Sequence, residues 1–181
     1  MTLNVDMDEL LKQIEAVWLE KGISAINSYT SSVDDPVYGA AFWLLYCDYS
    51  ILGVPCFAIN DEGHDSATEE FQRWGPPEWR QDVHEVTEEM QGLYSELSDL
   101  MKGRSDNEWE ILMEKHYKTM CSVSRSLTEQ YHNLDIEKKN PEFLVCILEE
   151  REGDEMYQDL LRGSATIDRI SRAKGLSSFL G

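Results

Sequence analysis

The stretch Asn60-Asp61-Glu62-Gly63-His64-Asp65 concentrates oxygen ligands around a glycine, a grouping that can hold a hard cation such as calcium or magnesium. Its spacing does not fit an EF-hand. Counting from Asp61, Gly63 is third and Gln72 twelfth, whereas such a loop needs Gly sixth and Glu twelfth. The stretch reads as a solvated turn after a strand, with a carboxylate or metal site around Asp61, His64 and Asp65 as the enzymatic alternative. Glu129 and His132 form one Glu-x-x-His, which sets both side chains on one helical face as in di-iron bundles. A second such motif is missing, because His84 follows Gln81 and His116 follows Met113 at the same spacing. Glu129 and His132 therefore read as a surface or helix-end pair, and a cation near a helix C-terminus is favoured by the dipole. A Cys47–His64 nucleophile pair has no supporting spacing. The chain has no GxSxG elbow, no GxxxxGK[ST] phosphate loop and no HExxH. From these residues we expect no catalytic residue, no metal ligand and no cofactor.

The most unusual local text is Arg73-Trp74-Gly75-Pro76-Pro77-Glu78-Trp79-Arg80. Two tryptophans flank a Gly-Pro-Pro turn, and each adjoins an arginine. One reading is a packed loop whose tryptophans plug the junction between sheet and helices. The other is a partner-binding ridge, since Trp and Arg are enriched among interface hot spots.

The elements that must position these residues follow from periodicity. Leu10, Leu11, Ile14, Val17 and Trp18 recur at helical spacing, with Gly22 as a break or C-cap and helical character extending to about Tyr29. Residues 38–47 (YGAAFWLLYC) are apolar on both faces, which predicts a central strand covered on both sides. Residues 54–59 (VPCFAI) form a second strand after a short link, which favours antiparallel pairing, with Pro55 at its start or on an edge. Residues 60–80 read as a loop. Two long helices follow, at about 82–102, ended by Gly103, and at about 106–132, opened by a Ser105/Glu108 capping box. Residues 143–148 (FLVCIL) are the third strand. Short helices at 154–162 and 166–174 end at Gly163 and Gly175. The expected fold is one α+β domain over residues 1–181: a small, mostly antiparallel sheet packed by helices, including a long antiparallel helix pair.

The chain has 181 residues, enough to bury roughly 70% of its unfolded surface without a disulfide or metal. Its formal charge is −19. That opposes a nucleic-acid or anionic-membrane partner and permits a basic protein partner. The charge is uneven: residues 60–89 hold 10 acids against Arg73 and Arg80. Cys47, Cys56, Cys121 and Cys146 form no CxxC pair and read as buried thiols in a reducing compartment. With no visible signal peptide and no long apolar run, cytoplasmic residence is the expectation.

At the Arg73–Trp79 string the chain resembles an uncharacterised bacterial family, domain-of-unknown-function family 4303. The matching parts are residues 38–47, 54–60, 73–79 and 143–150, within a span of roughly residues 5–175, and only the tryptophan string is specific. The second proline, Pro77, departs from the family's pattern. The resemblance implies a non-enzymatic, immunity-type protein that binds and blocks a toxin, and it supplies no catalytic residues. With the charge reading, it places a basic toxin against residues 60–89: Asp61, Glu62, Asp65, Glu69 and Glu70 would steer it, and Trp74 and Trp79 would anchor it. A structural or regulatory homo-oligomer is the third alternative.

Overall fold

The computed structural model describes residues 2–43, 52–64, 73–75, 79, 87–148 and 154–180. The order is α1 (Thr2–Ser32), β1 (Val37–Trp43), β2 (Cys56–Asp61), α2 (Glu88–Met101), α3 (Asp106–Asn133), β3 (Leu144–Leu148), α4 (Asp154–Ser164) and α5 (Ile167–Arg172). Short 3-10 turns follow β2 at Glu62–His64 and α5 at Leu176–Leu180. This is an α+β architecture. Among the described residues no helix is long and apolar enough to cross a membrane.

The sheet order is β2-β1-β3. β1 is the central strand, six of its seven residues are buried, and β2 pairs with it antiparallel as its sequence predicts. Pro55 precedes β2, which is an edge strand. β3, however, runs parallel to β1, so the sheet is mixed rather than mostly antiparallel. The physical reason is the connection: the chain leaves β2 and crosses through α2 and α3 before it returns, and a crossover of this length permits a parallel return. Residues 44–47 of the predicted first strand lie outside the described residues.

Each strand alternates between two cores. Phe42, Phe57, Ile59, Val145 and Ile147 face α1, α2 and α3. Ala41, Ala58, Leu144, Cys146 and Leu148 face Leu161, Ile170 and Leu176 from the C-terminal elements.

The helices correct three expected boundaries. α1 runs unbroken through Gly22 for 31 residues. Gly22 is a close-approach point instead: a Cβ there would stand 2.7 Å from Leu127 Cδ1 on α3. Gly163 lies within α4 for the same reason, facing Cys121 Sγ. α2 starts at Glu88, not near 82, because Thr87 accepts the Met90 N–H and caps it. Gly103 does end α2, with φ of 75°, and the Ser105/Glu108 capping box opens α3. The α1 backbone lies close to both α2 and α3, which meet each other through side chains, Tyr94 with His116 and Met120.

β3 is the other edge, and its outward groups are occupied. The Val145 N–H donates to Thr128 Oγ1 on α3 at 2.8 Å, and the Ile147 N–H donates to Ser164 Oγ on α4 at 3.2 Å. The His132 imidazole donates to the Phe143 carbonyl at 3.0 Å. Side chains thus satisfy backbone groups that would otherwise template another strand.

Candidate functional site

The tryptophan segment is built around a bulge in β1. The register slips between Val37 and Gly39, leaving Tyr38 as the extra residue. A bulge re-aims side chains, and here Tyr38 turns to the same face as Gly39. Trp74 fills the slot this creates: a Cβ on Gly39 would stand 2.5 Å from Trp74 Cη2, so only glycine admits the ring. Tyr38, Trp74 and Trp79 form an aromatic trio with centroids 5.5–6.0 Å apart at steep angles. Both indole N–H groups donate inward, Trp74 to the Lys174 carbonyl at 3.0 Å and Trp79 to the Arg73 carbonyl at 2.9 Å. Trp74 and Trp79 are 3% and 4% exposed. Neither tryptophan presents the surface anchor expected of a partner-binding ridge; both plug the sheet face opposite the long helices.

The polar residues beside them are engaged with one another. Arg73 is buried, its guanidinium sits 3.6 Å from the Tyr38 ring centroid, and it donates to Glu62 at 2.6 Å. The Tyr38 hydroxyl donates to the Arg73 carbonyl at 2.7 Å and accepts from Asn60 at 2.9 Å. Asp61 is 3% exposed and points to the other face, where its carboxylate accepts from the Tyr29 hydroxyl at 2.5 Å and from the Gly63 N–H at 2.9 Å. Asp61 is therefore a buried pin between β2 and α1. Glu62 is exposed but paired with Arg73. Asp65, Glu69 and Glu70 lie outside the described residues.

The remaining titratable groups also hold structure. Trp18 donates to the Tyr94 hydroxyl at 3.1 Å, which lies 3.1 Å from His116 Nε2, linking α1, α2 and α3 inside the larger core. Burial alone pushes the His116 pKa down to about 4, so this imidazole is neutral at pH 7. Burial also lowers the pKa of His132, and the cations Arg169, Lys139 and Arg172 act in the same direction. Burial pushes the Cys121 thiol up to about 11 and raises that of Cys146 further, so neither presents a thiolate at neutral pH. Cys47 lies outside the described residues. Among the described residues no three His, Cys, Asp or Glu side chains are grouped to hold a metal ion.

Charge on the described helices is polarised. α1 carries five acids and two bases, and α2 four acids and no base. From α4 to the C-terminal turn, four acids meet four bases. Glu20 holds the half-buried Lys21 above its ordinary pKa, and Glu89 adds to this across the α1–α2 contact. Between α1 and α2 lies an open groove of about 450 Å³, lined by Glu9, Leu10, Gln13, Glu96, Asp99 and Leu100.

Comparison with protein-family models, curated proteins and solved structures finds no match. What the chain can do is therefore read from its own surfaces. The α1–α2 groove has carboxylates at its rim and two leucines as its apolar surface. That suits a Lys or Arg side chain, whose stem packs on apolar atoms while its head meets a carboxylate. Sequence reasoning concentrated on the acids of residues 60–89 and missed this groove. Summing charge element by element would have flagged α2, whose Glu96 and Asp99 share one helical face.

Proposed function

We propose that this chain is a non-enzymatic, immunity-type protein of the cytoplasm that binds a basic toxin and blocks it, docking through the α1–α2 groove. The observation that carries the reading is the acid-rimmed, leucine-lined groove on the acidic side of the molecule. Acids there steer a basic partner and raise its association rate. Leu10 and Leu100 give the stems of its Lys or Arg residues an apolar bed. The engagement of Asp61, Arg73 and the two tryptophans in internal contacts supports a structural role for these members of the second acidic region.

The test uses a candidate basic toxin, sought in the reading frames that adjoin this chain's gene. Glu9→Gln, Glu96→Gln and Asp99→Asn are combined, and association is followed by stopped-flow at low and high salt. The reading expects a loss of about tenfold in association rate at low salt that shrinks at high salt. A rate equal to that of the unaltered chain at both salts would reject the groove as the docking face. Failure of the unaltered chain to bind or neutralise the toxin would reject the immunity reading itself.

A further inference from the structure

A second groove, of about 560 Å³, runs between α3 and α4. Trp109, Met113, Tyr117 and Cys121 recur every fourth residue along α3 and form one wall, and Leu160 and Gly163 of α4 form the other. The missing side chain at Gly163 lets α4 seat close against Cys121, whose thiol donates to the Leu160 carbonyl at 3.8 Å. The volume is that of a small-molecule site, and the wall is mostly apolar.

The rim carries the acids Glu110, Glu114 and Asp159 and the cations Lys118 and Arg125. Glu110 and Glu114 lie toward the N-terminal end of α3, and Arg125 lies one turn beyond Cys121 at the other end. Neighbouring cations are paired, Lys118 with Glu114 at 2.6 Å and Arg162 with Asp159 at 3.6 Å. Arg125 is exposed and has no ion pair among the described residues. Its charge also reaches the groove wall, because it acts to lower the Cys121 pKa against the larger effect of burial. In a chain of net charge −19, an unpaired arginine at the end of an apolar groove selects for a compact anion attached to an apolar body.

The geometry points to a binding site for a small amphiphilic carboxylate, such as a medium-chain fatty acid, with its head at Arg125 and its chain running past Cys121 and Leu160 toward Tyr117 and Met113. This site is independent of the α1–α2 docking face, and it can be tested without any protein partner.

The experiment is calorimetric titration of the full chain with decanoate, decanol and decyltrimethylammonium below their aggregation concentrations. The expected result is saturable 1:1 binding of decanoate, weaker binding of decanol, and weakest binding of the cation. Arg125→Gln, an exposed change that leaves the core intact, should weaken decanoate about fivefold while leaving decanol unchanged. Arg125→Lys should recover part of that loss. Leu160→Trp, with its fold confirmed by circular dichroism, should abolish binding of all three by filling the groove. Equal binding of all three ligands, non-saturable uptake, or an undiminished decanoate affinity in Arg125→Gln would overturn the site. Sedimentation at the same concentrations identifies a different occupant: a dimer that dissociates in Leu160→Trp and ignores decanoate would mean that a second copy fills the groove.

Discussion

On one face of the sheet, Phe42, Phe57 and Ile147 meet three long helices. On the other, Gly39, Ala41, Ala58 and Cys146 leave space, and Trp74 and Trp79 fill it. The first face supplies its own volume and needs only periodic helices above it. The second is shallow by composition and depends on Trp74 and Trp79, each with its indole N–H satisfied by a carbonyl. The polar groups differ in the same way. The Trp18–Tyr94–His116 chain links regular helices, whereas Tyr38, Asn60 and Arg73 tie a loop to a bulged strand. An aromatic-rich loop can therefore be half of a core, and its composition alone does not make it an interface.

The sharpest way to break this contrast is Trp74→Ala. It removes a buried indole from the Gly39 slot and should cost about 3–5 kcal/mol in urea unfolding. A loss below about 1 kcal/mol would mean the loop merely rests on the sheet. The next effect belongs to the helical face and is read by pH. His116 titrates near 6.5 when unfolded and about 4 when folded, so between these values the unfolded chain binds more protons. Stability is full above pH 6.5 and falls as pH drops toward 4. Relative to His116→Gln, the unaltered chain should lose about 2 kcal/mol more between pH 7 and pH 5. The pH slopes of the two chains would coincide if His116 were solvated.

Three smaller changes test the margins of the helical face. Thr128→Val leaves the Val145 N–H of the β3 edge buried without an acceptor and should cost about 1–2 kcal/mol. Ser122→Ala, on the same helix but bonded only to Glu15, should cost less than about 0.5 kcal/mol, so equal losses would discount the edge protection. Thr87→Ala removes the α2 cap and should cost about 1 kcal/mol, seen as earlier amide exchange in the first turn of that helix.

The same contrast explains what the sequence disclosed. The unalternating apolar runs of β1 and β3 mark strands covered on both sides, and the Ser105/Glu108 pattern is a local signal that needs no tertiary context. The direction of β3 depends on the path of the intervening chain, which local pattern does not encode. Gly22 and Gly163 read as stops because glycine both ends helices and lets them touch, and only the packing of Leu127 and Cys121 separates the two meanings. The packed reading of Trp74 was legible in the sequence, but the slot that receives it was not, because it exists only where a bulge turns Tyr38 and Gly39 to one face. The α1–α2 groove is assembled from helices about 80 residues apart in the chain, so no local window contains it.

The proposed division between a docking face and an internal plug meets its most direct test in hydrogen–deuterium exchange of this chain with and without the proposed toxin partner. The account predicts slower exchange on binding within residues 9–13 and 96–100, with residues 73–75 and 79 unchanged because they are already interior. Protection confined to residues 60–80, with α1 and α2 unaffected, would contradict it and return the docking role to the tryptophan segment.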